Sequence, residues 1–246
     1  MHQLYQDAMG IVCCFGKPDL FITFTCNPMW SDIISELLPG QTSQDRPDII
    51  SRVFNLKLQK LLYDIVKRKI LGKVLLILAS EHKPKCCDDY DHIVSAEIPD
   101  PELYPLAHVT VTKMMMHGPC GVSHPNAPCM KDSKCSKRYP RPFCSATTEC
   151  ADGYPVYRRR DNGKTVTVKG VALNNQSVVP HNLYLTTKYN AHINVEICSS
   201  ISAVKYLFKY VYKGPDRAVV QLAGQETIDE IQQYLDGLYV SASEAC

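Results

Sequence analysis

The chain has no long apolar run. The longest, Val74–Ala79, covers six residues, against the about 20 needed to cross a bilayer, so no membrane span is expected. The opening stretch MHQLYQDAMGIVCC lacks a basic start and an uninterrupted apolar core, so no secretory signal is expected. There is no G-x-x-x-x-G-K-[ST] and no G-x-G-x-x-G, which excludes the usual phosphate-cradling loops of ATPases and dinucleotide enzymes. There is little net charge, with 27 basic against 25 acidic residues, so no global field points at a polyanion. A chain that is not exported keeps its thiols reduced. The twelve cysteines therefore read as free thiols or metal ligands rather than a disulfide framework. The expected location is intracellular, nuclear or cytoplasmic.

What is present is enough for a core: 246 residues, 45% hydrophobic and 21% charged. The near-zero charge hides a split. Residues 131–169 hold ten Lys/Arg against four acids, while 81–104 hold seven acids against two lysines. The basic block is where a polyanion would bind.

Asp19–Thr25 (DLFITFT), stopped by Asn27-Pro28, reads as a strand. Arg52–Ile70 carries apolar residues at Phe54, Leu58, Leu61, Leu62, Ile65 and Val66, the spacing of an amphipathic helix. Val74–Ala79 reads as a buried strand, and 84–105, acidic and Pro-rich, as a surface segment. The Gly, Pro and Ser content of 117–150 predicts no regular element. Tyr154–Arg160 and Lys164–Val171 flank Asn162-Gly163 and predict a hairpin with Arg158 and Arg160 on one face. Asn190–Ile197 reads as a strand, Ile201–Lys213 and Thr227–Leu238 as helices. Ser241–Glu244 matches a capping box with almost no chain after it, so a truncated C-terminus is expected.

Three constellations carry chemistry. Tyr206 and Tyr210 lie four apart on one helical face with Lys209 beside them. They read either as phenolic nucleophiles for a phosphodiester or as a packed aromatic pair. His117, Cys120, Cys129 and Cys135 form H-x2-C-x8-C-x5-C, with Cys144 a possible substitute. The set reads as a tetrahedral zinc site or as unpaired thiols in a loop. Lys137, Arg138, Arg141, Arg158, Arg159, Arg160, Lys164 and Lys169 are interleaved with Tyr139, Phe143, Tyr154 and Tyr157. That block suits single-stranded nucleic acid, or is a solvated face. His192 stands alone in NAHINVEI, a strand histidine or, with Glu196 on the same face, a metal ligand.

Several segments together resemble the Helitron helicase-like N-terminal domain, the Rep nuclease region of rolling-circle transposons. They are YQDAM, FGKPDLFITFTCNP, HGPCG, PCMKDSKCSKRYPRPF, DGYPVYRRRDNG, YNAHINVEICSS, AVKYLFKYVYKG and YVSASEA, in that order. The resemblance implies an α+β HUH endonuclease fold, a central antiparallel sheet with flanking helices. It implies Mg²⁺ or Mn²⁺ on a His-x-His strand, and single-stranded DNA attacked by a helical tyrosine. The family's Y-x-x-K-Y falls on Tyr206, Lys209 and Tyr210, and a PIF1-like helicase follows in full-length relatives. This chain contains no H-x-H, and KILGKV (Lys69–Val74) joins LLIL (Leu75–Leu78) directly. Relatives carry a strand and an HAH turn between those two segments. The expectation is a transposase-type domain that keeps the tyrosines but has lost its metal-binding strand and its activity, or a DNA-binding module that does not cut. The expected division is 1–116 as the first half with a deletion near 74–75, 117–150 as a Cys/His zinc-binding insertion, and 151–246 as a basic hairpin plus the two-tyrosine half.

Overall fold

Where apolar residues alternate with polar ones the chain runs extended, and where they recur every three or four it coils. The computed structural model describes residues 18–71, 87–122, 124–149 and 155–198. In chain order these hold β1 (Leu20–Phe24), α1 (Ser31–Ile34), α2 (Pro47–Val66), α3 (Cys87–Ile93), α4 (Pro105–Met114), β2 (Met130–Lys131) and β3 (Lys134–Cys135). Then come β4 (Thr148–Glu149), β5 (Pro155–Val156), β6 (Val166–Val168), β7 (Val171–Leu173), α5 (Leu183–Tyr189) and β8 (Ile193–Ile197). The described residues thus mix helices with small antiparallel two-stranded sheets. The segments 74–79, 201–213 and 227–238, and with them Tyr206, Lys209 and Tyr210, lie outside the described residues.

β1 and β8 pair antiparallel across the whole chain, Leu20 opposite Ile197, Ile22 opposite Val195 and Phe24 opposite Ile193. Ile193, Val195 and Ile197 are buried, while Asn194 and Glu196 between them are half-buried. A slip of one residue would drive those two polar side chains into the core, so the pattern itself holds the register. Both strands begin and end within two or three residues of the predicted bounds.

Helix α2 begins earlier than its apolar spacing suggests, because Pro47 at the first turn needs no N–H partner there. Its Phe54 ring stacks on Phe24 at 5.1 Å, and Phe24 meets Tyr189 edge-on at 5.8 Å. Trp30 is buried beside them and its indole N–H donates to the Tyr189 carbonyl at 2.8 Å. Asn182 caps α5 by accepting from the Leu185 N–H, and Asn190 ends it in the left-handed conformation at φ 43°.

Three expectations are corrected. The acidic stretch 84–105 is a surface segment only at its end: among its described residues Tyr90, Val94, Ala96 and Ile98 are buried, the last three on alternate residues, while 101–105 are exposed. Its acids are neutralised from elsewhere, which is why charge did not keep it outside. The hairpin around Asn162-Gly163 also does not form. Pro155–Val156 pairs with Thr148–Glu149, and Val166–Val168 pairs with Val171–Leu173. The turn is Lys169-Gly170, both at positive φ (50° and 80°), the conformation a two-residue hairpin requires. Segment 117–149 also gains short strands, β2 paired with β3, where none was expected.

On the buried face of α2, Asp64 is 1% exposed and accepts from the Tyr189 hydroxyl at 2.6 Å, from Lys188, and from Arg68 at 3.3 Å. Burial pushes its carboxyl upward, but the hydrogen bonds from Lys188 and Tyr189 outweigh this and hold it below its ordinary value. Asp64→Ala leaves Lys188 and Tyr189 without their acceptor. A loss of roughly 2–4 kcal/mol in urea denaturation is expected; an unchanged midpoint would show that the cluster contributes nothing.

His181 is fully buried. Its Nδ1–H donates to the Val179 carbonyl at 3.0 Å, and its Nε2 has no hydrogen-bond partner. Burial pushes it from 6.5 down to about 4. The unfolded chain therefore takes up this proton first as pH falls. The stability is complete above pH 6.5 and is lost between 6.5 and about 4, up to about 3 kcal/mol. Melting curves across that window should show a slope that His181→Gln flattens.

Candidate metal centre

The site is built where α4 hands over to irregular chain. The Val179 N–H donates to the Met115 carbonyl and the His117 N–H to the Ser177 carbonyl, each at 2.7 Å. These bonds fix the backbone on which His117 sits. Cys120 follows three residues later. Cys129 and Cys135 are drawn together by β2 and β3, whose connecting residues Asp132 and Ser133 both adopt positive φ (48° and 61°). The Ser136 N–H donates to the Cys129 carbonyl at 2.8 Å and closes the knuckle.

The ligand atoms of His117, Cys120, Cys129 and Cys135 all lie within 4.8 Å of one another. Ligand atoms of a tetrahedral zinc site with bonds of about 2.0–2.3 Å stand roughly 3.3–3.8 Å apart. The His117 Nε2 to Cys135 Sγ distance is 3.3 Å. The four residues could hold a metal ion such as zinc, and they are the four predicted from spacing. Cys144 is not among them: its Sγ donates to the Ala146 carbonyl at 2.7 Å, which removes it as a substitute ligand.

Protonation suits the same role. Burial, with Lys137 and Arg141 nearby, holds His117 below its ordinary value, so its ring is neutral at pH 7, the ligating form. Burial and hydrogen bonds among the three thiols push Cys120 up to about 12. Burial also raises Cys135, but backbone hydrogen bonds from Tyr139 and Lys137 and thiol bonds from Cys129 and Cys120 hold it below its ordinary value. Cys135 thus ionises more readily than Cys120, and without a cation the cluster keeps protons that a metal would displace. The His117 ring is seated on Tyr139, centroids 4.1 Å apart and planes 16° from parallel. Arg141 stands over Tyr139 at 5.3 Å. Neither the Tyr139 seat nor the Ser177 anchor was visible in the cysteine spacing, because both depend on chain folded back from elsewhere.

No described residue between Gly121 and Ala146 is buried. This stretch has no apolar core of its own, the condition in which a metal supplies folding energy.

The predicted polyanion-binding residues divide. Lys137, Arg138 and Lys169 are exposed beside the knuckle, with Lys131 and Lys134, and Arg141 is half-buried. Arg159 is only 3% exposed, its Nη1 donating to the carbonyls of Asn175 (2.6 Å), Val178 (2.7 Å) and Ala96 (3.2 Å). Arg160 pairs with Glu97 at 2.6 Å, Arg158 with Asp91 at 3.0 Å and Lys164 with Asp100 at 2.6 Å. Arg159 is thereby removed from the surface, and Arg158, Arg160 and Lys164 are committed to internal partners. The physical reason is the acidic segment, which packs directly against this strand. Burial raises Glu97, but the hydrogen bonds from Arg160 prevail and hold it below its ordinary value. His192 lies outside the metal cluster; burial lowers its pKa, and its Nδ1 has no hydrogen-bond partner. Glu196 accepts instead from Asn194 at 3.0 Å.

The described chain is therefore a mixed helix and sheet protein carrying a His-Cys₃ cluster that could hold a metal ion. Its residues 1–80 match the family model of the Helitron helicase-like domain at N-terminus, the family its ordered motifs resemble. No curated protein matches the chain. No helix of the described residues is long and apolar enough to cross a membrane.

Removing one ligand by Cys129→Ser should weaken Co²⁺ or Zn²⁺ binding at least tenfold, as loss of even an outer-shell partner costs about 10–100-fold. Cys144→Ser should bind as the native chain does. Chelation should open 121–146 to protease before the β1–β8 core. Equal metal affinity in the two variants would refute the ligand set.

Proposed function

We propose that the chain is a Helitron-type, Rep-related module, stabilised by structural Zn²⁺, that holds single-stranded DNA without cutting it. The observation that carries the reading is the setting of the metal cluster. Its knuckle presents Lys131, Lys134, Lys137 and Arg138 on an exposed surface, with Lys169 close by. A rigid ridge of cations with no carboxylate among their described ion pairs suits a phosphate backbone. The match of residues 1–80 to the Helitron helicase-like domain supports a role in transposition.

The family's HUH fold and Mg²⁺- or Mn²⁺-dependent nicking belong to the same reading, with Tyr206 and Tyr210 as the phenols and Lys209 as the neighbouring cation. The chain has no H-x-H, so the Lewis acid that polarises the scissile phosphate lacks its usual ligands. The tyrosines then remain as relics of a transposase whose PIF1-like helicase followed in the parent element. The division into two Rep-like halves around a zinc-binding insertion at 117–150 is part of this reading, as is a nuclear or cytoplasmic location.

Five exposed cations predict a slope of log affinity against log salt of up to about −3.5 for single strands. Replacing Lys137 and Arg138 with alanine should reduce its magnitude by about 1.4. In the same assay with Mn²⁺ no strand should be cut. A covalent adduct on Tyr206 or Tyr210, lost with EDTA, would restore the enzyme reading. A salt-independent affinity would remove the binding one.

A further inference from the structure

Beside the metal cluster lies an open groove of about 550 Å³, within the range of roughly 300–1,000 Å³ typical of small-ligand sites. We propose that this groove takes one unstacked nucleotide of a single-stranded DNA, base inward and phosphate outward. The inference rests on the DNA-binding reading above and adds to it the place and manner of base recognition.

The walls supply the base's needs. Pro119, buried, and Pro125 and Pro128, exposed, line the groove, and apolar rings of this kind can cover a base face without demanding a particular sequence. Asn126 is exposed on the same wall. Its amide both donates and accepts, as the edge of a base requires. His124 also lines the groove, and its Nδ1 is buried without a hydrogen-bond partner. A small turn of the ring on binding would bring that nitrogen to a ligand's polar edge and recover the free energy of leaving it unmatched.

The mouth supplies the phosphate's need. Lys169 stands at the tip of the β6–β7 hairpin and closes the groove from the other side. The tight Lys169-Gly170 turn holds that backbone in one conformation. The ammonium makes no ion pair among the described residues. His117 and Cys129 contribute to the groove as well as to the metal cluster, so a bound metal would hold the proline loop in place. The exposed cations of the knuckle carry the strand past the opening. The groove therefore reads a base where the ridge reads only charge.

The test uses the zinc-loaded chain, a short oligodeoxynucleotide, and the same backbone with its bases removed. The base-bearing strand should bind about fivefold or more tightly than the abasic one, from burial of a base against the apolar wall, at about 25 cal/mol per Å² removed from water. His124→Ala with Asn126→Ala should abolish that difference and leave zinc content and salt slope unchanged. Lys169→Ala should lower the magnitude of the salt slope by about 0.7. A second arm titrates free deoxyadenosine 5′-monophosphate while the His124 and Asn126 resonances are followed. Strand binding that ignores the bases, or discrimination that survives the double variant, overturns the groove and leaves the DNA-binding reading standing. Shifts at His124 and Asn126 without any strand binding support the groove and overturn the broader reading. Absence of both overturns both.

Discussion

Everything described here turns on a cation buried without a carboxylate against it among the described residues. The Arg159 guanidinium donates through Nη1 to the carbonyls of Ala96, Asn175 and Val178, which lie on two separate stretches of chain. Burial lowers its pKa, yet an arginine stays charged even so. A charged group in that position must keep its acceptors, so the two stretches are tied to one another and to the chain carrying Arg159. Through the paired N–H and carbonyl groups of Arg159 and Cys144, and through the Tyr139 ring 6.0 Å from its guanidinium, the same residue reaches the seat of His117. The metal cluster is thus coupled to the core although it has no core of its own.

Around Arg159 its neighbours alternate, as extended chain dictates. Arg158 and Arg160 turn the other way, to Asp91 and Glu97. The acidic segment and part of the basic block are two sides of one internal contact. Part of the local charge splitting is therefore consumed in intramolecular ion pairs that stay partly open to solvent, Arg160 and Lys164 among them, which spares them the full cost of desolvation. The rest, on the knuckle and the β6–β7 turn, faces solvent. That division separates the cations that build the fold from those free to meet a ligand.

Much of this was legible in the chain itself. The spacing His117, Cys120, Cys129, Cys135 named the cluster, because thiols and an imidazole in a loop poor in apolar residues have few other uses. The alternation in LFITF and INVEI gave both strands of the β1–β8 pair, because a buried face must repeat every second residue. Legibility failed where a partner lay far along the sequence. Nothing local to Val94, Ala96 and Ile98 announces that Arg158 and Arg160 will neutralise their acidic neighbours. Nothing local to Asn162-Gly163 announces that this favourable turn pair would lose to Lys169-Gly170. There Val166 and Val168 found better cross-strand partners in Leu173 and Val171.

By itself the sequence determined the family resemblance, the grouping of His117, Cys120, Cys129 and Cys135 as candidates, and the alternation of β1 and β8. Each depends on residue type and short spacing, which no rearrangement of the rest can alter. Only the tertiary structure decided which cations are available, which thiol stays out of the cluster and where the groove opens. Those outcomes depend on groups brought together from distant parts of the sequence, and for the cations Coulomb attraction acts through space rather than along the chain.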